Sequence, residues 1–164
     1  MITITKILVT DYKEILGSSI VRHLNRQGFT VCGACDIDQA KSSIEVAEKA
    51  GQPFGLVISD ISRQNRNEVS FIYWLHTHHP AVSVLAISGF GNADLLDALI
   101  RPGRDYFRKK PILPMEIVEA IISIEQTRLG QLEQVVIMQD PNERLLLKCL
   151  SAEEHFELHK TKEA

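Results

Sequence analysis

The sequence predicts an α/β fold, a doubly wound five-stranded parallel sheet followed by a C-terminal helical extension. Three observations lead there. Short, β-branched apolar runs recur along the chain, segments with helical spacing separate them, and the two kinds alternate up to about residue 127. Alternation of this sort implies parallel strands joined by right-handed crossovers, with helices on both faces of the sheet.

Each element has its own justification. Ile7-Leu8-Val9 opens the chain as a short apolar run, and residues 13–27 follow with Leu16, Ile20 and Leu24 on one helical face. Residues 29–34 form a second, weaker strand. Residues 38–50 place Ala40, Ile44 and Ala47 together, with Asp38 as the expected N-cap. The runs at 54–58 and 82–87 are short and largely apolar, the second broken only by Ser83, as expected of strands covered on both faces. Between them, residues 68–79 offer Val69, Ile72 and Leu75 at helical spacing. A helix over 93–100 carries Leu95, Leu96 and Leu99, and Tyr106-Phe107 marks a fifth strand. Pro114 suits the first turn of a helix that continues through Ile117, Ile121 and Ile124.

Composition narrows the class. The 164 residues are 45% hydrophobic and 24% charged, with a formal net charge of −3. This is the make-up of a globular domain able to fold without disulfides or a structural metal. A weakly acidic chain offers no global field for nucleic acid, so no direct nucleic-acid binding is expected. No apolar run approaches the length of a membrane span, and the N-terminus lacks the layout of a signal peptide. Three cysteines are too few for a disulfide scaffold, so a reducing cytoplasm is the expected compartment.

In open parallel sheets, ligands sit beyond the carboxyl ends of the strands. Asp11 follows the first strand, Asp60 the third and Ser88 the fourth, while Lys110 comes just past the fifth. One polar residue after a strand is ordinary loop chemistry; four such residues on four strands form a constellation. It suits phosphoryl capture. A carboxylate is a competent nucleophile toward phosphorus, and an ammonium, a hydroxyl and a hard cation would neutralise the phosphoryl oxygens.

At these residues the sequence resembles the response-regulator receiver family of two-component signalling, over roughly residues 5–125. Ile7-Leu8-Val9-Thr10-Asp11 is similar to its first strand, Leu56-Val57-Ile58-Ser59-Asp60 to the strand ending in the phosphoacceptor, and Ser88-Gly89 to its Ser/Thr and small residue. Asp105-Tyr106-Phe107-Arg108-Lys109-Lys110-Pro111 is similar to its aromatic and Lys-Pro signature. The resemblance implies a flavodoxin-like strand order 2-1-3-4-5, with Asp60 as phosphoacceptor and Ser88 and Lys110 assisting. It also implies Phe107 as a switch aromatic, and Mg²⁺ held by Asp11, Asp60 and the Ser62 carbonyl. The donor it implies is a sensor histidine kinase or a histidine phosphotransfer protein. Such a module is a signalling protein whose only chemistry is its own phosphorylation and dephosphorylation.

Two positions depart from the family pattern. Tyr12 stands where a second acidic residue usually follows Asp11, removing one hard ligand from the metal, with Glu14 near enough in sequence to compensate. After Asp60 the chain reads Ile61-Ser62-Arg63-Gln64-Asn65-Arg66-Asn67-Glu68, a polar loop in place of the usual Met-Pro and glycine. These departures keep open an alternative, a phosphorylation-independent pseudo-receiver acting as a protein-interaction module. An enzyme or nucleotide binder of the same fold ranks below both, because no phosphate-cradling glycine loop follows the first strand.

Other features take ordinary readings. Cys32 and Cys35 have Cys-x-x-Cys spacing, but no second pair closes a zinc site and Cys149 is remote in sequence. His76, His78 and His79 are expected at an exposed helix terminus. Residues 1–126 are read as the receiver and 127–164 as a helical extension with no recognised output domain. Within it, Leu129, Leu132, Val135 and Val136 prolong an apolar face to about Gln139, and Asp140-Pro141 and Ser151–Glu154 have the look of further helix starts. That apolar face is expected to mediate partner binding or a homodimer through the C-terminal helices.

Overall fold

The computed structural model describes residues 4–10, 18–61, 66–89 and 98–137. The strands are β1 (Lys6–Thr10), β2 (Thr30–Ala34), β3 (Leu56–Asp60), β4 (Ser83–Ser88) and β5 (Tyr106–Lys109). The helices are α1 (Ser18–Arg26), α2 (Ile37–Lys49), α3 (Arg66–His78) and α4 (Pro114–Ile137). The sheet is parallel throughout, in the order β2-β1-β3-β4-β5. This is the doubly wound architecture that the alternating pattern predicted.

Strand periodicity explains why both faces are covered. Successive side chains point to opposite sides, and β1, β3 and β4 use both. Ile7, Val9, Leu56, Ile58, Leu85 and Ile87 pack with Leu24 of α1 and with Ile117, Ile121 and Ile124 of α4. The alternate residues Leu8, Val57, Val84 and Ala86 pack with Ala40 and Ile44 of α2 and with Phe71, Ile72 and Leu75 of α3. Removing each such side chain from water is worth about 1.5–3 kcal/mol, so the three central strands anchor the fold. Leu99 completes the second layer; Leu16, Leu95 and Leu96 of the expected helical faces lie outside the described residues.

Several boundaries shift from expectation for local reasons. The cap of α2 is Asp36, not Asp38: its side chain accepts from the Gln39 amide at 2.7 Å, and Gln39 Oε1 accepts the Cys35 amide at 2.6 Å. Asp38 instead lies within the first turn, where an acidic residue complements the helix dipole. Past its Ala50 cap the helix is closed by Gly51, whose φ of 72° permits the Gln52 amide to reach the Ala47 carbonyl at 2.9 Å. Strand β3 starts two residues late, because its ladder with β1 begins at Ile7 opposite Leu56. Helix α3 starts at Arg66 rather than 68, and both Ile61 and Glu68 of the expected polar loop are buried.

The histidines also depart from an exposed terminus. Only His78 follows that pattern, with Nδ1 3.0 Å from the Trp74 carbonyl. His79 is buried, 2.8 Å from Glu48 of α2 and against the Trp74 ring. His76 reaches Asp105 at 2.9 Å. Both acids come from segments distant in sequence, which helical spacing alone does not reveal.

Candidate functional site

Parallel strands all end at the same edge of a sheet, and there the chain assembles its polar residues. Thr10 ends β1, Asp60 ends β3 and Ser88 ends β4, each of them buried. Strand β5 ends at Lys109, paired with Ser88, so Lys110 is the first residue beyond the ladder. Its amide donates to the Ser88 carbonyl at 2.9 Å, which fixes the lysine backbone beside β4. From that anchor the side chain crosses to β3, where Nζ forms an ion pair with Asp60 Oδ2. The peptide joining Lys110 to Pro111 is cis.

The neighbouring contacts hold Asp60 in place. The amide of Ile61 donates to the Ile87 carbonyl at 2.8 Å, so β3 stays paired with β4 through the residue after the aspartate. On its other side, Thr10 Oγ1 donates to Ser59 Oγ at 3.1 Å, tying the end of β1 to the residue before Asp60. Asp60 thus sits between two buttressed strands, with the ammonium of Lys110, itself 39% exposed, against its carboxylate. A charge-assisted contact of this kind is stronger than one between neutral groups and holds the carboxylate in place.

Of the site residues expected from sequence, Asp60, Ser88 and Lys110 gather at one edge. Phe107 is half-buried three residues before Lys110, opposite Ala86 in β4 and packed on the core layer shared with α2 and α3. Asp11, Tyr12, Glu14 and Ser62 lie outside the described residues. Beside this edge, a cavity of about 470 Å³ is walled by Thr10, Asp36, Asp38, Lys41 and Glu68 among others. Among the described residues no three His, Cys, Asp or Glu side chains converge as a metal site. The donor chemistry present, a carboxylate at the strand edge with Asp36, Asp38 and Glu68 around the neighbouring cavity, nonetheless fits a hard divalent cation. Cys32 and Cys35 are free thiols, one half-buried in β2 and the other exposed after it.

At the opposite edge lies a polar hub to which the sequence reading assigned no role. Asp105, just before β5, accepts the Val84 amide at 2.8 Å and both the Arg101 amide, at 3.0 Å, and its Nε, at 2.8 Å, and meets His76 of α3. Arg101 also donates to the Pro80 and Val82 carbonyls at 2.9 and 2.8 Å. Burial raises the Asp105 pKa, but the contacts from His76 and Arg101 outweigh it and bring the carboxyl down to about 2. The hint in the sequence was the i,i+4 spacing of Arg101 and Asp105, which the absence of a helix there made easy to pass over.

Known proteins place this architecture. The model of the response regulator receiver domain matches residues 7–122. The receiver domain of a putative LuxO repressor protein from Vibrio parahaemolyticus is 17% identical, covering 78% of this chain and 95% of its own, with a TM-score of 0.61. A CheY-like receiver domain protein from Methanospirillum hungatei is 19% identical over 78% of this chain and 99% of its own, at 0.62. NtrX from Brucella abortus is 24% identical over 95% of this chain but only 34% of its own, at 0.63. No curated protein sequence matches the chain.

Proposed function

The chain belongs to the response regulator receiver domain family, and on that premise we propose that Asp60 accepts a phosphoryl group from a sensor histidine kinase or a histidine phosphotransfer protein. The observation that carries this reading is the ion pair between Lys110 and Asp60, made from two different strand ends.

The chemistry follows from the positions of the groups. In the transfer, an Asp60 oxygen bonds to phosphorus as the phosphorus–nitrogen bond to the donor imidazole breaks, and the imidazole leaves with a proton. Lys110 exchanges its carboxylate contact for a phosphoryl oxygen, and the Ser88 hydroxyl hydrogen-bonds another. Asp60, with Asp11 and the Ser62 carbonyl, would hold Mg²⁺, which when bound neutralises phosphoryl charge. The drawn-in Ser88 then lets Phe107 turn inward, a population shift set by the new charge. The protein is a signalling module and performs no chemistry on other molecules. Residues 1–126 act as the receiver and 127–164 as its extension. The free thiols of Cys32 and Cys35 suit the cytoplasm.

Intact-mass spectrometry after incubation with acetyl phosphate tests this: one phosphoryl adduct is expected with Mg²⁺ and little without it. No adduct under either condition would overturn it. A second reading, the phosphorylation-independent pseudo-receiver, draws on Tyr12 in the sequence. It is selected by the absence of Mg²⁺ binding at Asp60 together with partner binding unchanged in Asp60→Ala.

A further inference from the structure

We propose that the hydrogen bond between Tyr106 and Thr127 is a latch, through which the state of Asp60 sets how firmly α4 is held beyond residue 127. The proposal rests on Asp60 as the phosphoacceptor and adds a route from that residue to the far end of the chain.

The route begins with the edge position of β5. Among the described residues this strand is laddered on one side, to β4, from Leu85 opposite Tyr106 to Ser88 opposite Lys109. Its four residues span about 13 Å, and their side chains point alternately to opposite faces. Phe107 packs on the layer of α2 and α3, whereas Tyr106 packs on the layer that contains α4. Tyr106 is therefore placed to connect this strand to α4.

At α4 the contact is specific. The Tyr106 hydroxyl lies 2.9 Å from Thr127 Oγ1. Thr127 Oγ1 donates its one proton to the Ser123 carbonyl at 2.9 Å, so in the pair with Tyr106 the phenol is the donor. Thr127 stands two residues past Glu125, which accepts the Ile4 amide at 2.6 Å. From there the helix runs ten further residues, 128 to 137, or about 15 Å. Gly130 falls in that stretch, and a Cβ placed on it would meet no atom of the described residues within 4 Å. Packing does not call for a glycine at this point. Its effect is to weaken the helix, since only proline is a poorer helix former. A helix end weakened in this way depends on the anchor just before it.

The other end of β5 leads to the site. Lys110 follows the strand, with its amide on the Ser88 carbonyl at 2.9 Å and its Nζ paired with Asp60. A phosphoryl group on Asp60 takes over both Lys110 and Ser88, and so acts on the end of β5 and on the strand beside it. With β4 as its ladder partner, β5 shifts with them. A hydrogen bond of 2.9 Å is lost once it lengthens to about 3.6 Å, so a small displacement suffices. The latch is closed in the structure; phosphorylation opens it and loosens residues 128–137, a shift of population between two states.

Hydrogen–deuterium exchange of the full chain, read by mass spectrometry on peptides from α4, tests the latch. Without a phosphoryl donor, Tyr106→Phe should speed exchange at residues 128–137 about fivefold and leave α2 unchanged. Thr127→Val should act likewise, and the double variant should add little, because all three lack the same bond. After acetyl phosphate and Mg²⁺, the wild type should exchange as Tyr106→Phe does, and Tyr106→Phe should gain nothing further. A bond with a purely structural role would not give that response. Intact masses of the same samples record the adduct. Tyr106→Phe identical to the wild type, additive effects in the double variant, or a wild type that carries the adduct with unchanged exchange would overturn the latch and leave Asp60 as the acceptor. A wild type without an adduct would overturn the reading of Asp60, and the route from it, whatever the variants show.

Discussion

The Asp105 carboxylate lies 2.9 Å from His76 Nε2, deep at the edge of the sheet opposite Asp60. Through Asp105, helix α3, the start of β4 and the turn before β5 share one anion. The consequence is an acid-dependent stability. Because its carboxyl is depressed from 3.8 to about 2, the folded state binds a proton less readily than the unfolded state. The stabilisation is fully present above about pH 3.8 and is lost as pH falls through about 2; it amounts to about 2 kcal/mol. Asp105→Asn should therefore unfold at lower urea than the wild type at pH 7, with the gap narrowing as pH falls through that window. Parallel responses to acid would remove Asp105 as the hub.

The ion pair of Lys110 predicts a kinetic effect. Lys110→Ala removes the positive charge aimed at the phosphoryl oxygens and should slow the labelling of Asp60 by acetyl phosphate by at least about tenfold. The label should still map to Asp60. An unchanged rate, followed by time-resolved mass spectrometry, would show that Lys110 does not act in the transfer.

Leu85 is buried on β4 between α1, α4 and the central strands. Leu85→Ala should cost about 2–5 kcal/mol, through lost burial and the cavity left behind. Thermal and chemical denaturation would read this as a clear drop in midpoint, whereas Val46→Ala, at a mostly exposed site, should shift it little.

Asp36 offers a sharper test of local structure. As the cap of α2 it satisfies the Gln39 amide, so Asp36→Ala should destabilise the domain by about 1 kcal/mol. Asp38→Ala should cost less, since Asp38 contributes only its charge in the first turn. Equal losses, measured by urea denaturation, would put the cap back at Asp38.

The comparison of sequence and structure follows the range of the interactions involved. Strand existence, helix faces and the gathering of Asp60, Ser88 and Lys110 were legible, because each depends on short-range periodicity and on strands ending at a common edge. Boundaries were less so: β3 begins at Leu56 because β1 fixes its register, and Asp36 caps α2 because Gln39 reaches back to Cys35. The burial of His79 and the ion-pair contacts of His79 and His76 were invisible, since their acids, Glu48 and Asp105, come from other parts of the chain. The sequence places Glu68 at the end of a polar loop, and nothing local in it shows that this side chain is buried in the first turn of α3.

The central claim, that Asp60 is the phosphoacceptor, is tested most directly by comparing the intact masses of wild type and Asp60→Asn after identical exposure to acetyl phosphate and Mg²⁺. The account predicts a single phosphoryl adduct in the wild type, mapping to residue 60, and none in Asp60→Asn. An adduct of equal yield in Asp60→Asn, or an unmodified wild type, would contradict it.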